Sequence, residues 1–159
     1  MQSLIFASVH QTAIVIIWVV FKLAQHPEYL DKLRAEIIYE SSNHGDTLTL
    51  SSLKNAELLD SFIREVFRTK GDTLSTVRFT TVKTTLAGYN IPQGSFVIPL
   101  ASLSNFNTDQ HGDDAEIFIG DRWVGQGKPA AMVSPSYYPF GLGRWACPGR
   151  QLAIAGELN

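Results

Sequence analysis

Cys147 is the one thiol in this chain of 159 residues, and it sits within Phe140-Gly141-Leu142-Gly143-Arg144-Trp145-Ala146-Cys147-Pro148-Gly149. A lone cysteine cannot close a disulfide inside the chain. A closed zinc site takes four ligands, and His10, His26, His44 and His111 are scattered without paired spacing, so zinc is disfavoured.

Three readings of the thiol stay open at this point: a packed small hydrophobe, a reactive nucleophile, or a thiolate holding a haem iron. The flanking residues bear on the choice. Gly141, Gly143 and Gly149 remove side chains where the backbone might lie close to a flat cofactor, and they permit torsions that other residues avoid. Pro148 suits the first position of a helix. If Gln151-Leu152-Ala153-Ile154-Ala155 continues as helix, Cys147 lies at its N-terminal end, where the dipole and free N–H groups favour a thiolate.

Phe140, Gly143, Cys147 and Gly149 fill the pattern F-x-x-G-x-x-x-C-x-G, which resembles the haem-binding loop of the cytochrome P-450 monooxygenases, fungal members in particular. The resemblance implies haem as cofactor and Cys147 as its axial iron ligand, with electron donation from sulfur favouring O–O cleavage. It implies that Phe140, Gly141, Gly143, Arg144, Trp145 and Gly149 line the cofactor. The family commonly places Arg or His where Trp145 stands, so the resemblance leaves Arg144 or Arg78 to compensate the haem propionates. Electrons are expected from an NADPH-dependent reductase, and one oxygen atom is expected to enter a small hydrophobic organic substrate, as in secondary metabolism.

Two other segments carry the same resemblance. Glu65-Val66-Phe67-Arg68 places charged ends three residues apart on one helix face, a pair that on its own reads as solvated. It is similar to the family E-x-x-R motif, which implies a buried triad of Glu65, Arg68 and Arg122. Arg122 comes from Phe118-Ile119-Gly120-Asp121-Arg122-Trp123, where Gly120 replaces a common proline. Ala7-Ser8-Val9-His10-Gln11-Thr12 matches the oxygen-activating segment with departures: His10 stands for an acid and Gln11 for a threonine, with Thr12 one step later. An imidazole can take and return a proton, so His10 is the candidate proton relay.

The elements that must position these groups follow from periodicity. The fold expected is mainly α with a small β part (α+β), the C-terminal portion of the family fold from its long central helix to the start of the helix after the cysteine. Residues 1–159 are expected to be one partial domain lacking the N-terminal half. A second helix is expected from Pro27 to about Glu40, with Leu30, Leu33 and Ile37 on one side, ended by Ser41-Ser42-Asn43-His44-Gly45-Asp46. A third runs from about Asn55 to Lys70 with Leu58, Leu59, Phe62, Ile63, Val66 and Phe67 at helical spacing, stopped by Gly71-Asp72. Residues 74–82, 83–87 and 95–99 read as strands, with turns at Gly88-Tyr89-Asn90 and Ile91-Pro92-Gln93-Gly94. Residues 106–146 read as mostly irregular.

Composition limits the alternatives. The chain is 45% hydrophobic and 18% charged with a formal charge of −2, ordinary for a globular domain, and no basic patch suggests nucleic acid. The uninterrupted apolar run Ala13–Phe21 is nine residues long, short of the roughly 20 that span a bilayer, so residues 4–21 read as a buried helix rather than an anchor. Endoplasmic reticulum association is expected only of a full-length protein. Gly141-Leu142-Gly143-Arg144-Trp145-Ala146 fits a loose dinucleotide fingerprint, but only 13 residues follow it, too few to complete the motif. The remaining alternatives are a catalytically inactive fragment and a membrane-anchored interaction protein using residues 4–21.

Overall fold

The apolar repeat of the third expected helix folds as the most deeply buried element, α4 (Glu57–Thr69), in which Leu59 and every residue from Ser61 to Arg68 are buried. The structure, a computed structural model, describes residues 2–45, 47–70 and 77–158. Around α4 lie α1 (Gln2–Gln25), α2 (Glu28–Ser42) and α3 (Leu50–Asn55) before it, and α5 (Ala101–Asn105), α6 (Thr108–His111) and α7 (Arg150–Leu158) after it. Two small antiparallel pairs complete the fold, β1 (Arg78–Phe79) with β4 (Phe96–Val97) and β2 (Thr84–Leu86) with β3 (Tyr89–Ile91). The protein is mainly α with a small β part, and residues 112–142 run almost entirely as turns.

One apolar cluster joins these pieces: Val15, Tyr29, Leu33, Leu59, Phe62, Ile63, Val66, Phe67, Tyr137 and Ile154 come from α1, α2, α4, the turn segment and α7. Polar groups fix the entry angle of α4. The Glu36 carboxylate of α2 accepts the N–H groups of Leu58 (2.7 Å) and Leu59 (2.9 Å), using two donors that no helical carbonyl can reach.

Several expectations change. α1 is not buried against this chain: Val15 is 4% exposed, but Ile5, Phe6, Val9, Ile16, Ile17, Val20 and Phe21 all face outward. Its stretch Ile5–Gln25 is long and apolar enough to cross a membrane, because Ser8, Gln11 and Thr12 interrupt the apolar sequence without ending the helix. On α2, Tyr29 takes the core position and Leu30 is exposed, while Leu33 is buried as expected. α3 was not legible from periodicity; Thr49 and Ser52 start it by capping each other, Ser52 N to Thr49 Oγ1 at 3.1 Å and Thr49 N to Ser52 Oγ at 2.8 Å.

The β region also differs. Tyr89–Ile91 is a strand, not a turn, with Leu86 opposite Tyr89 and Thr84 opposite Ile91. The reversal is the two residues Ala87 (φ 49°) and Gly88 (φ 84°), the left-handed pair that a tight hairpin requires. Of the strand expected at 74–82, Arg78 and Phe79 are paired, and 74–76 lie outside the described residues, as do Asp46 and the Gly71-Asp72 stop.

Gly120 shows why this chain lacks a proline there. A Cβ at Gly120 meets Phe62 at 2.7 Å and Tyr29 at 2.8 Å, and the Gly120 N–H donates to Tyr29 Oη at 3.0 Å. Tyr29 Oη in turn donates to Asp121 Oδ1 at 3.1 Å. Gly120→Ala is expected to destabilise the protein by about 1–3 kcal/mol through overpacking, and Gly120→Pro by more because the N–H is also lost. Unfolding in denaturant measures both, and a neutral Gly120→Pro result contradicts this packing.

Candidate functional site

Glu65 and Arg68 are both fully buried on α4 and pair through Arg68 Nε to Glu65 Oε2 at 2.8 Å and Arg68 Nη2 to Glu65 Oε1. Arg122 Nε reaches Glu65 Oε1 at 3.0 Å. The same carboxylate accepts Trp123 Nε1 at 3.0 Å and Ile119 N at 3.2 Å. The structure therefore brings the three residues of the expected triad together, and adds Trp123, which the motif reading missed although it adjoins Arg122.

The guanidiniums pass this anchoring on to the turn segment. Arg68 donates to the carbonyls of Asn105 (2.7 Å), Ala115 and Ile117 (3.1 Å). Arg122 donates to Asp114 Oδ1 (2.6 Å) and to the carbonyls of His111, Asp114 and Ile117. The Arg122 hydrogen bond holds the Asp114 carboxyl below its ordinary range. Opposed charges with nearly all donors used are the condition under which a buried ion pair persists.

Next to this network lies His111, whose ring meets Trp123 edge-on at 5.9 Å. Among the described residues neither ring nitrogen has a partner at hydrogen-bond geometry. Burial first and the Arg68 guanidinium second push its pKa below the ordinary 6.5, opposed by the Ser136 carbonyl and by Glu65.

Cys147 is exposed, at the end of a loop that its own backbone closes: Cys147 N donates to the Phe140 carbonyl at 2.7 Å. Gly141 (φ 76°) and Gly143 (φ 62°) take the left-handed torsions that turn the chain between these ends. The Phe140 ring packs on Phe67 of α4 at 5.0 Å, which fixes the loop to the buried helix. Pro148 is not the first helical residue; α7 begins at Arg150, with the Gly149 carbonyl taking the Ala153 N–H. Cys147 thus precedes the helix by three residues and lies outside the first turn, where the dipole acts.

The loop presents an apolar, cationic face. Leu142 and Trp145 are exposed beside the thiol, and a Cβ at Gly143 meets nothing within 4 Å. The Arg144 guanidinium lies 4.9 Å from the Trp145 ring centroid and that of Arg78, from β1, lies 5.6 Å from it. No carboxylate forms an ion pair with either among the described residues. A soft thiol, an open apolar surface and two unneutralised cations suit a flat apolar metal complex bearing carboxylates. His10, Gln11 and Thr12 occupy α1, with the His10 ring stacked on Phe6 at 4.7 Å. No hydrogen bond, ion pair or ring contact joins them to residues 140–149 among the described residues. A cavity of about 830 Å³ lies elsewhere, between α3, residues 123–131 and α7.

With this geometry in hand, comparison with known proteins defines the class. The family model for Cytochrome P-450 matches residues 1–156, and the chain belongs to that family. It is similar to cytochrome P-450 monooxygenases of Penicillium paxilli (36% identical over 94% of this chain and 31% of the relative) and Penicillium ochrochloron (34%, over 99% and 32%). A cytochrome P-450 monooxygenase of Talaromyces verruculosus is 33% identical over 94% of this chain and 30% of its own length. The chain spans about a third of the length of these curated relatives. The match includes α1, so that helix is part of the family domain.

Because burial lowers the His111 pKa in the folded state, the folded protein binds a proton there less readily than the unfolded chain does. Stability is therefore present above the ordinary pKa and lost as pH falls below it. His111→Phe keeps a ring against Trp123 and removes this titration. The stability difference between wild type and variant is expected to move in favour of the variant as pH falls from about 7 to about 5; parallel pH profiles contradict it.

Proposed function

We propose that this chain carries the haem-thiolate part of a cytochrome P-450 monooxygenase, in which Cys147 is the axial iron ligand and one atom of dioxygen enters a small hydrophobic organic substrate. The observation that carries the reading is the exposed Cys147 thiol on a loop locked by its bond to Phe140, beside two guanidiniums that share the Trp145 ring. Bound haem supplies oxygen activation, fed by single electrons from an NADPH-dependent reductase.

The residues divide the work. Cys147 holds the iron. Gly141 and Gly143 keep the approach to it free of side chains, and Arg78 and Arg144 bind the two haem carboxylates. Glu65, Arg68 and Arg122 fix the turn segment that leads into the loop. His10, Gln11 and Thr12 on α1 carry the proton path, with His10 taking and returning a proton at a ring nitrogen. The further length present in the relatives supplies the other wall of the cofactor site and most of the substrate pocket, so residues 1–159 form part of a larger domain. Residence at the endoplasmic reticulum membrane belongs to the same proposal.

A second reading has its own observation: the outward apolar face of α1 suits a membrane-inserting helix of an interaction protein. Flotation with liposomes tests it, and a chain that stays out of the lipid fraction rejects it.

For the main reading, the carbon monoxide difference spectrum of the reduced, haem-loaded protein is expected to be of the thiolate type. Cys147→Ser is expected to abolish that spectrum. Glu65→Ala is expected to abolish haem incorporation, since loss of one partner from a buried ion pair costs about 3–5 kcal/mol. Normal haem content in Glu65→Ala, or a thiolate-type spectrum from Cys147→Ser, would sink the assignment.

A further inference from the structure

Beside Glu65 and Arg68, α4 carries a second buried cation, Arg64, which is 2% exposed. Its Nη1 donates to the carbonyls of Pro129 (2.8 Å) and Met132 (3.3 Å). Its guanidinium lies 3.7 Å from the Tyr137 ring centroid and 4.6 Å from that of Trp123. No carboxylate hydrogen-bonds to it among the described residues, and Nε has no partner. Asp60, one turn earlier, instead accepts the Ala130 N–H at 2.8 Å. Asp60 and Glu65 favour its charge through space, but a desolvated guanidinium whose direct partners are carbonyls and ring faces is a costly arrangement, so what it holds is informative.

It holds the run-up to the cysteine loop. Tyr137, against which Arg64 lies, donates its hydroxyl to the Ala130 carbonyl at 3.1 Å and exchanges backbone bonds with Ser134 at 2.7 and 3.0 Å. Immediately after it, Gly141 N donates to the Tyr138 carbonyl at 3.0 Å, and Phe140 gives its carbonyl to the Cys147 N–H. Phe67, which supports the Phe140 ring, is three residues on from Arg64 and so lies on the same side of α4. Arg64 and Phe67 thus support the segment at two successive points.

We infer that Arg64 is a positioning residue for Cys147: it fixes residues 129–137 so that Phe140 meets the Cys147 N–H and the thiol is held in place. This rests on the haem-thiolate reading only for the consequence at the iron. Lysine is a poor replacement, because a compact, strongly hydrated ammonium does not supply the delocalised, weakly hydrated cation that lies 3.7 Å from the Tyr137 ring centroid and 4.6 Å from that of Trp123.

The test uses Arg64→Lys and Arg64→Gln in the purified protein, with two readouts. Amide hydrogen exchange at Cys147 is expected to quicken about tenfold or more in both variants, the scale of losing a charged hydrogen bond. At matched haem content, a fraction of the bound haem is expected to lose the thiolate-type carbon monoxide spectrum. Faster exchange confined to Ala130 and Met132, with Cys147 unchanged and the spectrum intact, overturns the inference and leaves Arg64 a local brace. If Arg64→Gln does not fold, the charge-retaining Arg64→Lys decides it. A wild type without a thiolate-type spectrum defeats the haem reading alone, since the Cys147 exchange still judges the positioning role.

Discussion

The buried carboxylate of Glu65 is the constraint on which the remaining structure depends. It accepts five hydrogen bonds, two from Arg68 and one each from Arg122, Trp123 and Ile119. An ionised carboxylate without water is tolerated only when its lone pairs are all used, and here the donors come from α4 itself and from a turn segment more than fifty residues away. Satisfying one anion therefore imposes a tertiary arrangement. The irregular path of residues 105–123 follows from it, because Arg68 and Arg122 still have donors to place and find the carbonyls of that segment.

α4 then works in two directions. Glu65 and Arg68 organise residues 105–123, and Asp60, Arg64 and Phe67, on the adjoining strip of the same helix, organise residues 129–140. The two sets meet at Trp123, which touches the Glu65 carboxylate and also faces the Arg64 guanidinium. A long stretch with almost no regular structure is held by side chains rather than by backbone ladders. This is how it can end in an exposed thiol at a defined place, with Phe140 of the loop resting on Phe67 of α4.

Much of this was legible in the sequence. The 3.6-residue repeat located α4 because its apolar residues are the core, and the family resemblance of 65–68 and 140–149, rather than their spacing alone, marked the network and the loop. Signals of another kind were missed. The Tyr89–Ile91 strand hid behind Asn90 and Pro92, since a three-residue hairpin strand with Tyr89 and Asn90 exposed needs no apolar alternation. α3 depends on a Thr49/Ser52 cap rather than on an apolar stripe. The exposure of α1 was invisible because an apolar helix looks the same whether or not a partner covers it in the chain at hand. The fit of Gly120 against Tyr29 and Phe62 depends on residues more than fifty positions away, which no local pattern reports.

The most direct test of the central claim is a double-mutant cycle between Glu65→Gln and Arg122→Leu, read by denaturant unfolding. If the shared anion ties the turn segment to α4, the two changes couple by more than about 1.5 kcal/mol. Effects that add to within about 0.5 kcal/mol contradict it, because the segment is then held by contacts in which Glu65 has no part.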